Sequence, residues 1–207
     1  MRTVKYFLPQ AKRSSVFYQF NAQKSTRLYN SFMVKFITDI LGLEIVLFQE
    51  KARLGKVSDL IFSADNGSVL GLICFDPIRK KKRVLVTSEI KKVSGGIILV
   101  NGYDSIEDVG DVIRLNKAMQ DNVKIIGAKV ITVSGQYVGR VNDATIDLTH
   151  FRLSRLYVDP PLGINFFAQA TLIPAKKIVR IEKKKIIISD NFVIVPGLKI
   201  AAINKTS

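Results

Sequence analysis

The chain repeats itself, and this constrains its fold more than any other feature. Ile40-Leu-Gly-Leu-Glu-Ile45 is followed by a turn and then Leu54-Gly-Lys-Val-Ser-Asp59. Ile125-Ile-Gly-Ala-Lys-Val130 is followed by a turn and then Val138-Gly-Arg-Val-Asn-Asp143. Gly42 therefore pairs with Gly127, Gly55 with Gly139, Val57 with Val141 and Asp59 with Asp143. Further on, Val69 to Pro77 matches Arg152 to Pro160, both ending in Asp-Pro. Val84-Leu-Val86 then matches Thr171-Leu-Ile173, and Ile97 to Val100 matches Ile186 to Ile188. The offset runs from 85 to 83 and then to 89, and the length changes fall where turns are expected. Self-similarity of this kind means one supersecondary unit used twice.

The unit is made of strands. Val, Ile, Leu and Phe concentrate in short runs with partial alternation, as in Lys56-Val-Ser-Asp-Leu-Ile-Phe62. Turn residues separate the runs at Asp65-Asn66-Gly67-Ser68, Ser94-Gly95-Gly96 and Ser134-Gly135. Several short strands so spaced predict a small barrel, because closure removes sheet edges that would otherwise aggregate. The repeated glycines mark sharp bends. Two half-size cores are each near the lower limit of independent stability, so the copies are expected to lean on one another.

Between the copies, Ser105 followed by Asp108 resembles a capping box with Asp in place of Glu. Ile106, Val109, Ile113 and Leu115 fall roughly on one helical face. Acids come early (Glu107, Asp108, Asp111) and bases late (Arg114, Lys117), as the helix dipole prefers. One helix is predicted here, weak at Gly110, with an apolar stripe that packs the barrels together. The expected organisation is a basic segment over 1–32, a first repeat over 33–104 and a helical linker over 105–122. A second repeat follows over 123–192, then a C-terminal strand and tail over 193–207. The fold class is mainly β, two tandem small barrels joined by a short helical linker.

Each copy resembles the PRC-barrel family, whose members include the H subunit of the photosynthetic reaction centre and the C-terminal domain of a bacterial ribosome-maturation factor. The resemblance rests on the first-strand glycine (Gly42, Gly127) and the Gly-Lys/Arg-Val-x-Asp segment (Gly55 to Asp59, Gly139 to Asp143). A strand ending near Asp76 or Asp159 adds to it, as does the Leu-Ile-Pro segment from Leu172 to Ile178. The first copy departs from the last element, with Thr87 set against Pro174. The resemblance implies two PRC-type barrels and a docking role without catalysis. Assignment of a particular partner from it would be analogy at the level of fold.

The residues offer little to catalysis. Cys74, the sole cysteine, sits in an apolar run and reads as a buried small hydrophobe. His150, the sole histidine, lies at a predicted hairpin tip. No zinc site of ordinary spacing can be drawn from them. Neither Gly-x-x-x-x-Gly-Lys-Ser/Thr nor Gly-x-Gly-x-x-Gly occurs. Asp59 and Asp143 occupy equivalent places in two units, whereas acid–base catalysis needs both groups on one substrate. They read as structural acceptors of backbone N–H groups at strand ends, and Asp76 and Asp159 as turn formers. No catalytic residue, cofactor site, metal site or small-molecule substrate is expected.

Charge points to partners. The chain carries +15 overall and, without residues 1–32, still about +9, which attracts RNA, DNA or an anionic membrane face. Two clusters concentrate it: Arg79, Lys80, Lys81, Lys82 and Arg83, then Lys176, Lys177, Arg180, Lys183, Lys184 and Lys185. Each is either a solvated loop tip or a set of phosphate contacts. No aromatic-rich sheet face accompanies them in the sequence, so contacts to nucleic acid would follow shape and charge rather than base sequence. Phe166 and Phe167 read as core in preference to an exposed contact. The leading expectation is a non-enzymatic docking protein on a protein or ribonucleoprotein partner, ribosome or RNA maturation included. The other expectation is a peripheral membrane accessory protein. The longest uncharged run, Pro160 to Ala175, is 16 residues with three prolines, too short and broken to span a bilayer. Residues 1–32 hold six bases and no acid. They read as a poorly ordered arm, with a targeting peptide or a true start at Met33 left open, and the chain is expected in the cytoplasm.

Overall fold

The computed structural model describes residues 34–161 and 170–191. Expectations placed on residues 1–32, on Phe166 and Phe167 and on a strand after residue 192 lie outside the described residues. In the first repeat, β1 (Val34–Phe36) and the one-turn α1 (Ile37–Ile40) lead into β2 (Glu44–Leu47), β3 (Arg53–Phe62), β4 (Val69–Asp76) and β5 (Lys81–Val86). A 3₁₀ turn, Thr87–Glu89, carries the chain to β6 (Ile90–Ser94) and β7 (Ile97–Val100). The second repeat runs β9 (Lys129–Thr132), β10 (Tyr137–Asp147), β11 (Arg152–Asp159), β12 (Thr171–Pro174), a 3₁₀ turn, then β13 (Ile178–Glu182) and β14 (Lys185–Ile188). In both, the middle strands form an antiparallel meander, and the last hairpin returns so that its final strand pairs parallel with the first (β7 on β2, β14 on β9). The three sequence turn signals all lie between strands. Among the described residues backbone pairing does not close either ladder: the orders are β6-β7-β2-β3-β4-β5-β8, with β8 at Ile106–Asp108, and β12-β11-β10-β9-β14-β13. The 3₁₀ turns bridge the seam where closure was expected.

The repeat glycines do two different jobs. Gly42 and Gly127 adopt φ of +85° and +78°, the left-handed region that only glycine enters cheaply. Gly55 and Gly139 allow a close approach between strands: a Cβ on Gly55 would lie 2.5 Å from the Phe75 carbonyl oxygen, and on Gly139 1.9 Å from that of Asp159.

Strand pairing corrects the sequence alignment of the two copies. Val57 faces Cys74 and Val141 faces Val158, so Cys74 corresponds to Val158 and the offset on this strand is 84, not 83. Likewise Leu85 corresponds to Ile173, Val86 to Pro174 and Ile98 to Ile186, each one residue from the match drawn on sequence. The reason is the two-residue side-chain period. A one-residue slip would equate buried Leu72 with exposed Arg155, whereas the true register places Leu72 with buried Leu156. Phe75, not Asp76, is therefore the counterpart of Asp159. The two Asp-Pro pairs are not equivalent.

The segment 105–122 is not one helix. After a 3₁₀ turn (Tyr103–Ser105) comes a strand, β8 (Ile106–Asp108), antiparallel to β5. A second 3₁₀ turn (Ile113–Leu115) then leads into the short helix α2 (Asn116–Asp121). Asp108 does not cap; it pairs with Lys81 and Arg83 across the ladder. Ile113 is 80% exposed. Val112, Leu115 and Ala118 pack on Ile61, Val84 and Val86, the outer face of the first sheet. The linker thus covers one repeat and does not weld the two.

The repeats join directly, and reciprocally. Val69 N–H donates to the Phe151 carbonyl (2.6 Å), and Leu153 N–H donates to that of Gly67 (3.1 Å). In the corrected register Val69 corresponds to Leu153 and Gly67 to Phe151, so each repeat gives the other the bond it receives. Gly67 and Phe151 also share positive φ, +69° and +47°. Asp59 and Asp143 extend the exchange. Each sits at a bulge within its strand, not at a strand end, and accepts the next residue's N–H (Leu60, 2.9 Å; Ala144, 2.7 Å). The other oxygen reaches across: Asp59 takes the Lys124 ammonium, and Asp143 accepts the Thr38 hydroxyl at 2.5 Å. β1 crosses too, pairing antiparallel with β10. Beneath these contacts one apolar cluster runs through both repeats, from Ile45, Leu60, Leu72 and Ile98 to Val130, Ile146, Leu156 and Ile186. Such self-complementary exchange is the geometry of a two-fold dimer interface, here within one chain.

Gly127→Ala should cost only its left-handed backbone, about 1–2 kcal/mol, since a Cβ there meets open space. Gly139→Ala should cost more, about 3 kcal/mol or beyond, because strands β10 and β11 must separate. Urea midpoints compare the two; equal losses would contradict the close approach.

Candidate interface for an anionic partner

The two basic clusters divide into engaged and free side chains. In the first, Lys81 pairs with Asp108 at 2.5 Å. Arg83 contacts Asp108 (3.2 Å) and Asp76 (3.7 Å) and donates to the Ile106 carbonyl. Both residues hold β8 against β5. In the second, Lys177 donates to the Asn191 carbonyl (2.5 Å), while Arg180 and Lys185 share Glu182 at 2.7 Å each. Arg79, Lys80, Lys82, Lys176, Lys183 and Lys184 are exposed and have no acidic partner among the described residues. The first three belong to the β4–β5 turn and the start of β5. Asp76 fixes that turn by accepting the N–H groups of Ile78 (2.9 Å) and Arg79 (3.0 Å), the chemistry expected of Asp before proline. Lys183 and Lys184 form the β13–β14 turn.

The second of these turns is tied to the first repeat. Lys124 N–H donates to the Lys183 carbonyl at 2.9 Å, and the Lys124 ammonium grips Asp59 on β3. On the same outer face as Asp59, two rungs along the ladder, Lys56 opposes Phe75 and Phe75 opposes Lys82. All three are exposed, Phe75 by 46%, and the Lys56 ammonium also reaches the Glu44 carboxylate at 3.8 Å. The backbone of the basic turn of the second repeat is thus held, through Lys124, to β3 of the first. Sequence reading missed Lys56, Phe75 and Lys124. Phe75 looked like the end of an apolar run, though the alternation Leu72 and Cys74 inward, Ile73 and Phe75 outward, carries the signal.

A PRC-barrel domain model matches residues 33–106 and again 122–191. The chain belongs to the PRC-barrel family. No curated protein matches it. PRC-barrel domains generally serve as interaction and assembly modules and are generally non-catalytic. In this PRC-barrel chain Asp59 and Asp143 lie in separate units and are committed to inter-repeat bonds. Cys74 is fully buried, its thiol pushed up to about 11 by burial, the reverse of what nucleophile activation requires. His150 Nδ1 lies 2.7 Å from Asp147 in the β10–β11 turn. Burial alone would raise the Asp147 carboxyl; bonds from His150 and the Thr149 N–H outweigh it and lower it. Among the described residues no group of three or more His, Cys, Asp or Glu could hold a metal, and no helix is long and apolar enough to cross a membrane.

Asp108 is held below its ordinary range, first by the hydrogen bond from Lys81. A depressed carboxyl adds stability above its unfolded pKa and loses it as pH falls through the folded value. Asp108→Asn should therefore weaken the chain at neutral pH, with the gap to wild type shrinking below about pH 4. Urea midpoints from pH 6 to 3 test this; a constant gap would show that Asp108 acts by shape alone.

Proposed function

We propose that the chain is a non-enzymatic assembly protein that docks, through an exposed basic flank, onto a phosphate-rich ribonucleoprotein partner such as a maturing ribosomal particle. One observation carries the reading. Folding uses Lys81, Arg83, Lys177, Arg180 and Lys185 for internal bonds, yet leaves the six bases around them exposed and uncompensated. Phosphates approaching this flank release counterions, which provides affinity without base readout.

The test is retention on heparin and on structured RNA across a salt series. About six phosphate contacts should lower affinity roughly a thousand-fold between 50 and 200 mM salt. Arg79→Glu, Lys80→Glu and Lys82→Glu together should abolish retention while sparing Lys81 and Arg83, which hold β8. Retention that ignores salt, or survives the triple reversal, removes the reading.

Ile78 favours a second reading. It is 84% exposed at the tip of the β4–β5 turn, beside Arg79 and Lys80, an apolar point in a basic ring as at an anionic membrane face. Flotation with phosphatidylglycerol vesicles, lost in Ile78→Ser, would move the docking site from ribonucleoprotein to lipid.

A further inference from the structure

The linker covers most of the outer face of the first sheet. Its cluster includes Ile61, Ile73 and Val84, the rows nearer the β3–β4 turn. The row of Lys56, Phe75 and Lys82 is left open, at the end nearest the basic tip. Phe75 differs from the other exposed aromatics with basic neighbours. Lys91 Nζ lies 3.7 Å above the Phe48 ring and Lys129 Nζ 5.1 Å from that of Tyr137, so those faces carry an ammonium already. Lys56 and Lys82 flank Phe75 across the ladder from both sides, and among the described residues no ammonium covers its ring.

We propose that Phe75 is a stacking platform for an unpaired base of a single-stranded nucleic acid, with Lys56 and Lys82 holding the phosphates on either side. This rests on the docking reading above and specifies its ligand. An aromatic face on an open sheet accepts any base, because every base has a π-face, while flanking cations follow the backbone. A duplex keeps its bases stacked internally and offers only phosphates to the same site. The flank should therefore prefer single strands, and the preference should reside in Phe75 while the salt dependence resides in the lysines.

The chain contains no tryptophan, so Phe75→Trp places a single indole reporter at the site. Titration of that full-length variant with a short oligouridylate should quench its emission, and an RNA duplex of equal length should not. By anisotropy Phe75→Ala should bind oligouridylate about ten-fold more weakly or worse, with duplex affinity, salt slope and heparin retention unchanged. Phe75→Tyr should restore binding. Lys56→Gln and Lys82→Gln should each reduce the salt slope by about 0.7. If Phe75→Ala binds oligouridylate like wild type while heparin retention persists, the platform is overturned and the docking reading stands. An indole that shifts blue on phosphatidylglycerol vesicles and ignores RNA overturns it in favour of lipid. Failure of the wild type to be retained on heparin or RNA overturns the docking reading, and the platform with it.

Discussion

The structure depends on a backbone exchange between two hairpin tips. Val69 and Leu153 each donate to the opposite repeat, and this fixes how two thin sheets share one interior. That interior is the shared apolar cluster from Ile37 to Ile188, and burial on this scale dominates folding free energy. Hydrogen bonds at the junction add less in net terms. Their value is directional, since they admit a single alignment of the repeats.

That alignment decides the surface. The Asp59–Lys124 contact is modest in energy, because both side chains remain about two-fifths exposed. Its effect is positional. It draws the start of the second repeat onto β3 and brings with it the Lys183 turn, bonded through Lys124 N–H. β8 and the linker then cover the rest of the outer face, and Lys81 and Arg83 serve that covering.

Much of this was legible in the sequence, and the parts that were not share a cause. The duplicated glycines were readable because a backbone requirement leaves one residue type little alternative. Strand register was not, because Leu70 to Phe75 and Ile97 to Val100 are nearly continuous apolar runs that hide the two-residue period. The coincidence of Asp76-Pro77 with Asp159-Pro160 then drew the match one residue out of step. β8 was read as helix because Ile106 and Val109 are three apart, a spacing compatible with either element, and because the true partners of Asp108 lie 25 and 27 residues away. The junction was invisible for the same reason: bonds such as Thr38 to Asp143 span 105 residues, beyond any local pattern. Phe75 lay in plain view but could be recognised as outward-facing only once register was known.

The exchange at the hairpin tips has a consequence for how such a chain can change in length. An inserted residue in the β3–β4 turn would displace Gly67 from Leu153 unless the β10–β11 turn grew to match, so those two turns are tied to a common size. Among the described residues the β4–β5 connection takes no part in the exchange, and the offset between copies rises from 84 on β4 and β11 to 88 on β5 and β12. That connection, at the end of β4 remote from the junction, is the tip that carries Ile78, Arg79 and Lys80, and its length is free of the constraint that couples the other two turns.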